Sequence, residues 1–347
     1  IQRGAADGLG IVAPVGDPAF AGARGDLALD FASAPKLDSM FALHPAMASV
    51  QALYGQKQAL FAHAVASPYR DRSHFDGQNV LESGGTGAYQ LKDGWMNRLL
   101  GVLPRNGKEA IAFSPAIPMA LRGAVDVSSY APSALPQANE DLLVRVEQLY
   151  ARDAQLHALW SSAIEARGMA AGGGAGARRQ DANALGRMAA GFLVRADGPR
   201  VAMIETGGWD THSAQNARLA TQLRNLDDLL AGLQEGLGAA WTQTVVLVAT
   251  EFGRTVAANG TGGTDHGTGA VAMLVGGAVQ GGRIVSDWPG LATANLLDGR
   301  DLRPTLALDA LVTAACAESF GLDADRLATV LFPQGARAKA GPRLLRA

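Results

Sequence analysis

Thr244-Val245-Val246-Leu247-Val248-Ala249, followed at once by Thr250-Glu251-Phe252-Gly253-Arg254-Thr255, decides the fold. An unbroken apolar, β-branched run predicts a strand covered on both faces, as in a parallel sheet with helices above and below. The polar residues that follow put a carboxylate and a guanidinium at the carboxyl end of that strand. In open α/β sheets this is where ligands bind.

The pattern repeats outward. Arg200–Ile204 predicts a strand that runs into Gly207-Gly208-Trp209-Asp210-Thr211-His212. Ala270–Val275 predicts another, after Gly263-Thr264-Asp265-His266-Gly267. Leu219, Leu223, Leu226, Leu229, Leu230 and Leu233 recur at helical spacing, so Ser213–Gly238 is an amphipathic helix. Upstream, a helical pattern through Met47, Val50, Leu53 and Tyr54 leads into a buried strand at Ala59–Val65. A helix runs from Ser73 to about Glu82 and is stopped by Gly84-Gly85-Thr86-Gly87. Further helices are expected at Leu91–Leu100, from about Asn139 to Arg167, at Ala184–Val194 and at Leu306–Phe320. Gly168–Asn183 reads as a flexible glycine-rich linker. Strands alternating with helices predict an α/β, doubly wound fold with a largely parallel sheet flanked by helices.

Composition narrows the function. The chain has 347 residues, 48% of them hydrophobic, enough for one large domain or two smaller ones. A net charge of −2 argues against nucleic acid. No apolar run reaches the 18 or so residues of a membrane span. The single cysteine, Cys316, excludes a disulfide within the chain and is expected to be a buried helix residue. Ile1-Gln2-Arg3-Gly4 reads as the end of a strand, with residues upstream expected to have been removed.

Candidate site residues lie in the glycine-rich loops. Asp210, His212 and His266 combine carboxylate and imidazole, as a hydrolytic metal site requires, with Asp265 beside His266. The competing reading makes Asp210 and Asp265 turn residues. Glu251 ends a strand and must be paired or ligated. Arg254 is either its salt-bridge partner or a clamp for a phosphate or sulfate group. Asp7, in Gly4-Ala5-Ala6-Asp7-Gly8, is a turn residue or a metal ligand. Ser73 opens a helix with Asp76 three residues on. It is a capping box, or a nucleophile whose helix N-terminus holds an anion. His74 stands beside it, and Gln78 is on the same face. His44, His63 and His157 read as structural, and Trp95, Trp160, Trp241 and Trp288 as core.

Arg3-Gly4-Ala5-Ala6-Asp7-Gly8-Leu9, Phe41-Ala42-Leu43-His44-Pro45, Ser67-Pro68-Tyr69 and Arg72-Ser73-His74-Phe75-Asp76, with the three later loops, resemble domain-of-unknown-function family 1501. That family is similar to the alkaline-phosphatase-like superfamily of sulfatases and phosphatases. The resemblance covers nearly the whole chain. It implies a single domain over 1–347 with a mainly helical insertion at about 101–199, and a twin-arginine-exported, periplasmic or secreted protein. By chain order, Ser73 resembles the nucleophile and Asp7 the first-strand ligand. Asp210 and His212 resemble the ligand pair of one metal site. Glu251 would join Asp7 in a second site, His266 would be the later histidine, and Asp265 would support a ligand. Phe252 departs from the superfamily's histidine. The implied cofactor is therefore a divalent metal (Zn, Mn, Mg or Ca), with one ion, two, or none. The expected function is a metal-dependent hydrolase of phosphate or sulfate esters acting on a small-molecule or glycan ester. The alternative is a non-catalytic exported binding protein that keeps the fold.

Overall fold

The computed structural model describes residues 1–104, 109–131, 140–171, 182–335 and 343–346. Ten strands are found among them. β1 (Val12–Ala13) and β2 (Ala42–Leu43) form a small antiparallel pair. The others are β3 (Ala59–Ala66), β4 (Ala110–Phe113), β5 (Ser128–Ser129), β6 (Val201–Ile204), β7 (Val246–Val248), β8 (Ala270–Val275), β9 (Arg283–Val285) and β10 (Leu306–Ala307). One sheet has the order β10-β3-β8-β7, with β9 also on β3. A second has the order β5-β4-β6.

The α/β class is as the sequence predicts, but the larger sheet is mixed. β3 is parallel to β9 and β10, whereas β8 runs antiparallel to both β3 and β7. The reason lies in the connection. A parallel return needs a crossover, usually a helix. Between β7 and β8 there is no helix. The chain doubles back through an antiparallel bridge, Arg254 to His266, and must re-enter the sheet antiparallel.

The sheet is covered on both faces, as strand alternation requires. On β3, Phe61 enters one core while Leu60 and Ala62 enter the other. On β8, Val271 and Met273 alternate with Ala272 and Leu274 in the same way. The helix Gln215–Leu237 buries Leu219, Leu223, Leu226, Leu230 and Leu233 against the first face, together with the helix Ala182–Leu193. Leu308–Phe320 and Ala324–Leu331 cover the second. Each such leucine, fully buried, contributes about 1.5–3 kcal/mol.

The 101–199 stretch is helical at Glu140–Tyr150, Ala154–Ala171 and Ala182–Leu193, but it also supplies β4 and β5. β4 pairs with β6, so part of this stretch belongs to the sheet system. The linker expected at Gly168–Asn183 falls mostly outside the described residues. Its ends, Gly168–Ala171 and Ala182–Asn183, are helical.

Candidate metal centre

The carboxyl ends of β6 and β7 place two of the three polar loops side by side. Asp210 and His212 follow β6, Glu251 follows β7, and His266 precedes β8. A fourth element closes the group. The helix His74–Ser83 starts with His74, and its first turn points toward Asp210 and Glu251. Gly4 makes the close approach feasible. Its φ is +122°, and a Cβ there would lie 2.6 Å from the Asp210 nitrogen. Its N–H donates to Glu251 Oε1 at 2.9 Å.

Three imidazoles surround one carboxylate. His212 Nε2 is 3.0 Å and His266 Nε2 3.4 Å from Asp210 Oδ1, and His74 Nε2 is 3.4 Å from Asp210 Oδ2. The two Nε2 atoms of His212 and His266 are 3.1 Å apart. His74, Asp210 and His266 by themselves form a group able to hold an ion, with donor atoms within 4.8 Å of one another. A tetrahedral zinc with nitrogen bonds of about 2.0–2.1 Å separates its donors by roughly 3.3 Å. The observed spacings fit that value.

The partners of the outward-facing nitrogens decide which tautomers are favoured. His74 Nδ1 faces Glu251 Oε1 at 2.9 Å, His212 Nδ1 faces Asp265 Oδ1 at 3.3 Å, and His266 Nδ1 faces the Arg72 carbonyl at 2.9 Å. All three partners are acceptors, which favours the tautomer with the proton on Nδ1. In that tautomer each Nε2 turns a lone pair inward. Three lone pairs and a carboxylate at these distances repel unless a cation, proton or metal, is shared among them. His74 Nε2 is buried with no hydrogen bond of good geometry. Outer acceptors that fix ring orientation in this way are the usual support of metal-ligating histidines.

The electrostatics agree. The bond to Glu251 raises the pKa of His74, against the opposing effect of burial. Burial pulls Glu251 upward, but His74, its own and the Gly4 backbone, and Gln78 hold it below its ordinary value. Burial likewise opposes Asp210, yet the Arg254 bond and charge keep it low. Burial, followed by the charge of His74, lowers His266.

The structure redistributes several expected roles. Asp7, expected to join Glu251, is engaged within the chain instead. It is fully buried and paired with Arg24, and Gln215 Nε2 donates to the same oxygen at 2.5 Å. Glu251 instead supports His74. Arg254, expected to pair with Glu251 or to clamp an anion, is engaged with Asp210 and Thr264 instead. Its Nη1 holds Asp210 at 2.5 Å, and Nε and Nη2 hold Thr264. Asp265 sits on His212 and Asn259, one bond outside the group. Phe252 is a wall, stacked on the His74 ring with centroids 5.1 Å apart and tilted against His266. His74, expected as a catalytic neighbour of Ser73, faces inward with the other imidazoles. Its position on the same helix face as Gln78 was the available signal, since Gln78 also reaches Glu251.

Ser73 is the N-cap residue, but its side chain makes no capping bond, so the Ser-x-x-Asp capping box does not form. Its N–H donates to the Tyr69 hydroxyl at 3.0 Å. The preceding Arg72 has a φ of +60°, a strained value for a bulky residue. Asp301, fully buried, holds the Arg72 side chain through Nε at 3.0 Å and Nη2 at 2.7 Å. The Arg72 carbonyl is thereby aimed at His266.

The remaining histidines stay out of the centre. His63 is fully buried, bonds the Val12 carbonyl and stacks on Phe41. His44 is buried near Asp30, and His157 is exposed. Cys316 is only half-buried. No described helix is long and apolar enough to cross a membrane.

No curated protein and no solved structure matches this chain. One family does, described as "Protein of unknown function (DUF1501)", over residues 4–331. That span takes in every loop that builds the centre, and the chain belongs to this family.

Proposed function

We propose that the chain is a hydrolase of phosphate or sulfate esters that works with one metal ion. The observation behind the metal is the convergence of three Nε2 lone pairs on Asp210 at 3.0–3.4 Å. Among the described residues, His74, Asp210 and His266 of this convergence are the one group able to hold an ion. Three imidazoles and a carboxylate suit zinc better than magnesium or calcium, which prefer all-oxygen sites. When bound, the ion would supply Lewis-acid stabilisation of an anionic oxygen.

The ester chemistry is supported by Ser73. Its hydroxyl is not spent on a cap, and it adjoins His74 at the start of the helix His74–Ser83. The unpaired N–H groups of that first turn favour an anion such as a phosphoryl or sulfuryl group. Ser73 Oγ would form a bond to phosphorus or sulfur as the bond to the leaving alcohol breaks, the serine proton leaving with the alcohol, and water would then break the Ser73 ester to release inorganic phosphate or sulfate. The ester class and an exported setting rest on the family resemblance.

Zinc titration of purified protein, with Asp210→Ala and His266→Ala as controls, tests the metal. Turnover of p-nitrophenyl phosphate and p-nitrophenyl sulfate, with Ser73→Ala as control, tests the chemistry. The reading fails if no metal binds and neither ester turns over. Arg254 favours a second reading, a metal-holding protein without turnover. It is consumed by Asp210, and Arg72 by Asp301, so neither is free to bind an anion. Tight metal binding with no hydrolysis of any ester would select it.

A further inference from the structure

Asp301 lies outside the centre, just after a tight hairpin turn. The turn residues, Asp298 and Gly299, have φ of +54° and +64°. Asp-Gly is a sequence that suits such a turn. Leu297 N donates to Asp301 O at 2.9 Å, Asp301 N donates to Leu297 O at 3.0 Å, and Asp301 also bridges Thr255. The Asp301 backbone is thus held on both sides, and its side chain is fully buried.

The buried carboxylate is crowded at one oxygen. Oδ2 accepts from Arg72 Nε at 3.0 Å, Arg72 Nη2 at 2.7 Å and Thr268 Oγ1 at 2.8 Å. Oδ1 accepts no bond of good geometry, and Arg300 Nη1 lies 3.2 Å from it. Both arginines reach on to His266. The Arg72 carbonyl faces His266 Nδ1 at 2.9 Å, and Arg300 Nη2 donates to the His266 carbonyl at 2.6 Å. The peptide between Arg72 and Ser73 is held at its other end too, since the Ser73 N–H donates to the Tyr69 hydroxyl at 3.0 Å. Arg72 keeps a φ of +60° in this arrangement. A bulky residue stays there only where its surroundings over-determine it.

We propose that Asp301 is a positioning residue for the centre: by holding Arg72 it fixes the peptide between Arg72 and Ser73, and that peptide sets the tautomer of His266. With the carbonyl toward His266, Nδ1 donates and Nε2 faces Asp210 with a lone pair. If Arg72 relaxed and the peptide turned over, its N–H would point at Nδ1 instead. Nδ1 would then accept, and the ring would carry its proton on Nε2, where it blocks a metal bond. A carboxylate that touches no ligand would thus decide whether His266 can ligate. Asp298 is no substitute for it. Asp298 is 3.7 Å from Arg72 Nη2 and 73% exposed, and an exposed pair of this kind contributes little. The consequence for zinc rests on the metal reading above, whereas the tautomer does not.

The test reads the histidine rings of metal-free protein, kept with a chelator, by long-range proton–nitrogen NMR on isotope-labelled histidine. At about pH 8, above the ordinary histidine pKa, the two neutral tautomers give distinct nitrogen shifts. Wild-type His266 should carry its proton on Nδ1. In Asp301→Ala and in Arg72→Met it should shift toward Nε2, while His63, bonded to the Val12 carbonyl, stays as it is. Asp298→Asn should match the wild type. Zinc affinity should fall by about 10–100-fold in the first two variants, and by less than about twofold in Asp298→Asn. The Arg72 side chain is partly exposed, so Arg72→Met gives the answer if Asp301→Ala does not fold. A wild-type His266 with its proton on Nε2 would overturn the proposal, and so would wild-type His266 signals in folded Arg72→Met. If the wild type binds no zinc but the variants still shift the tautomer, the metal reading fails and the positioning role stands.

Discussion

Asp210 and Asp7 are both aspartates in glycine-rich loops near the same sheet edge, yet they end in opposite states. Asp210 is 41% exposed and faces three imidazoles. Asp7 is 1% exposed and sealed by Arg24. A hydrogen-bond chain links the two. Arg254 holds Asp210 and Thr264, Thr264 bonds Gln215, and Gln215 bonds Asp7. The motif letters are alike and each carboxylate meets a guanidinium, but only Asp210 also faces imidazoles. Arg24 supplies a permanent charge to Asp7 Oδ2, and Gln215 bonds the same oxygen. Around Asp210 the histidine nitrogens add more donors, in an arrangement able to hold an ion.

The strongest way to break this comparison is to remove the guanidinium from the sealed pair. Arg24→Met leaves a buried carboxylate with no counter-charge and should cost about 3–5 kcal/mol. Asp7→Leu combined with Arg24→Met should recover most of that loss, because a buried pair replaced by apolar groups is often neutral. Urea unfolding measures both. A loss below about 1 kcal/mol for Arg24→Met would mean that the pair does not carry the structural role assigned to it.

His63 sharpens the contrast between sealed and gathered histidines. Burial pushes its pKa down to about 4. The folded value lies below the ordinary value near 6.5. Below about pH 6.5 the unfolded chain therefore takes a proton that the folded chain refuses. Stability should be unaffected by this group above that pH, and should fall by about 3 kcal/mol as pH drops from 6.5 through 4. In His63→Gln the slope over that window should flatten. An unchanged slope would assign the acid sensitivity elsewhere.

Two smaller effects probe the gathered side. Glu251→Gln retains the shape but weakens the hold on His74 Nδ1, and should reduce zinc affinity by about 10–100-fold. Asp265→Asn should cost less than about tenfold, since Asp265 is more than half exposed and 3.3 Å from His212. Calorimetric zinc titration ranks the two. If Asp265→Asn proved the more damaging, the order of support around the ligands would have to be reversed.

Much of the framework was legible along the chain. The six leucines from Leu219 to Leu233 mark the long helix, and the run Ala270–Val275 is β8. Gly84 takes the left-handed conformation that ends the helix begun at His74. The loops of Asp210, His212 and His266 do come together. The antiparallel sense of β8 was not legible, because hydrophobic runs carry no direction. The Asp7–Arg24 pair left no pattern, since nothing in the intervening residues marks Arg24 as a partner. His74 was read from its neighbour Ser73, but its role follows from Glu251, which lies 177 residues away in sequence.

The sequence by itself determined which segments become strands and helices and which loops carry ionisable groups. These depend on periodicity and turn chemistry within a few residues. Only the tertiary structure decided the direction of β8 and the division of the carboxylates into one sealed by arginine and one ringed by histidines. Those outcomes depend on through-space charge and hydrogen bonding between distant residues, where a displacement of a few ångströms decides whether a carboxylate meets a guanidinium alone or a guanidinium together with three imidazoles.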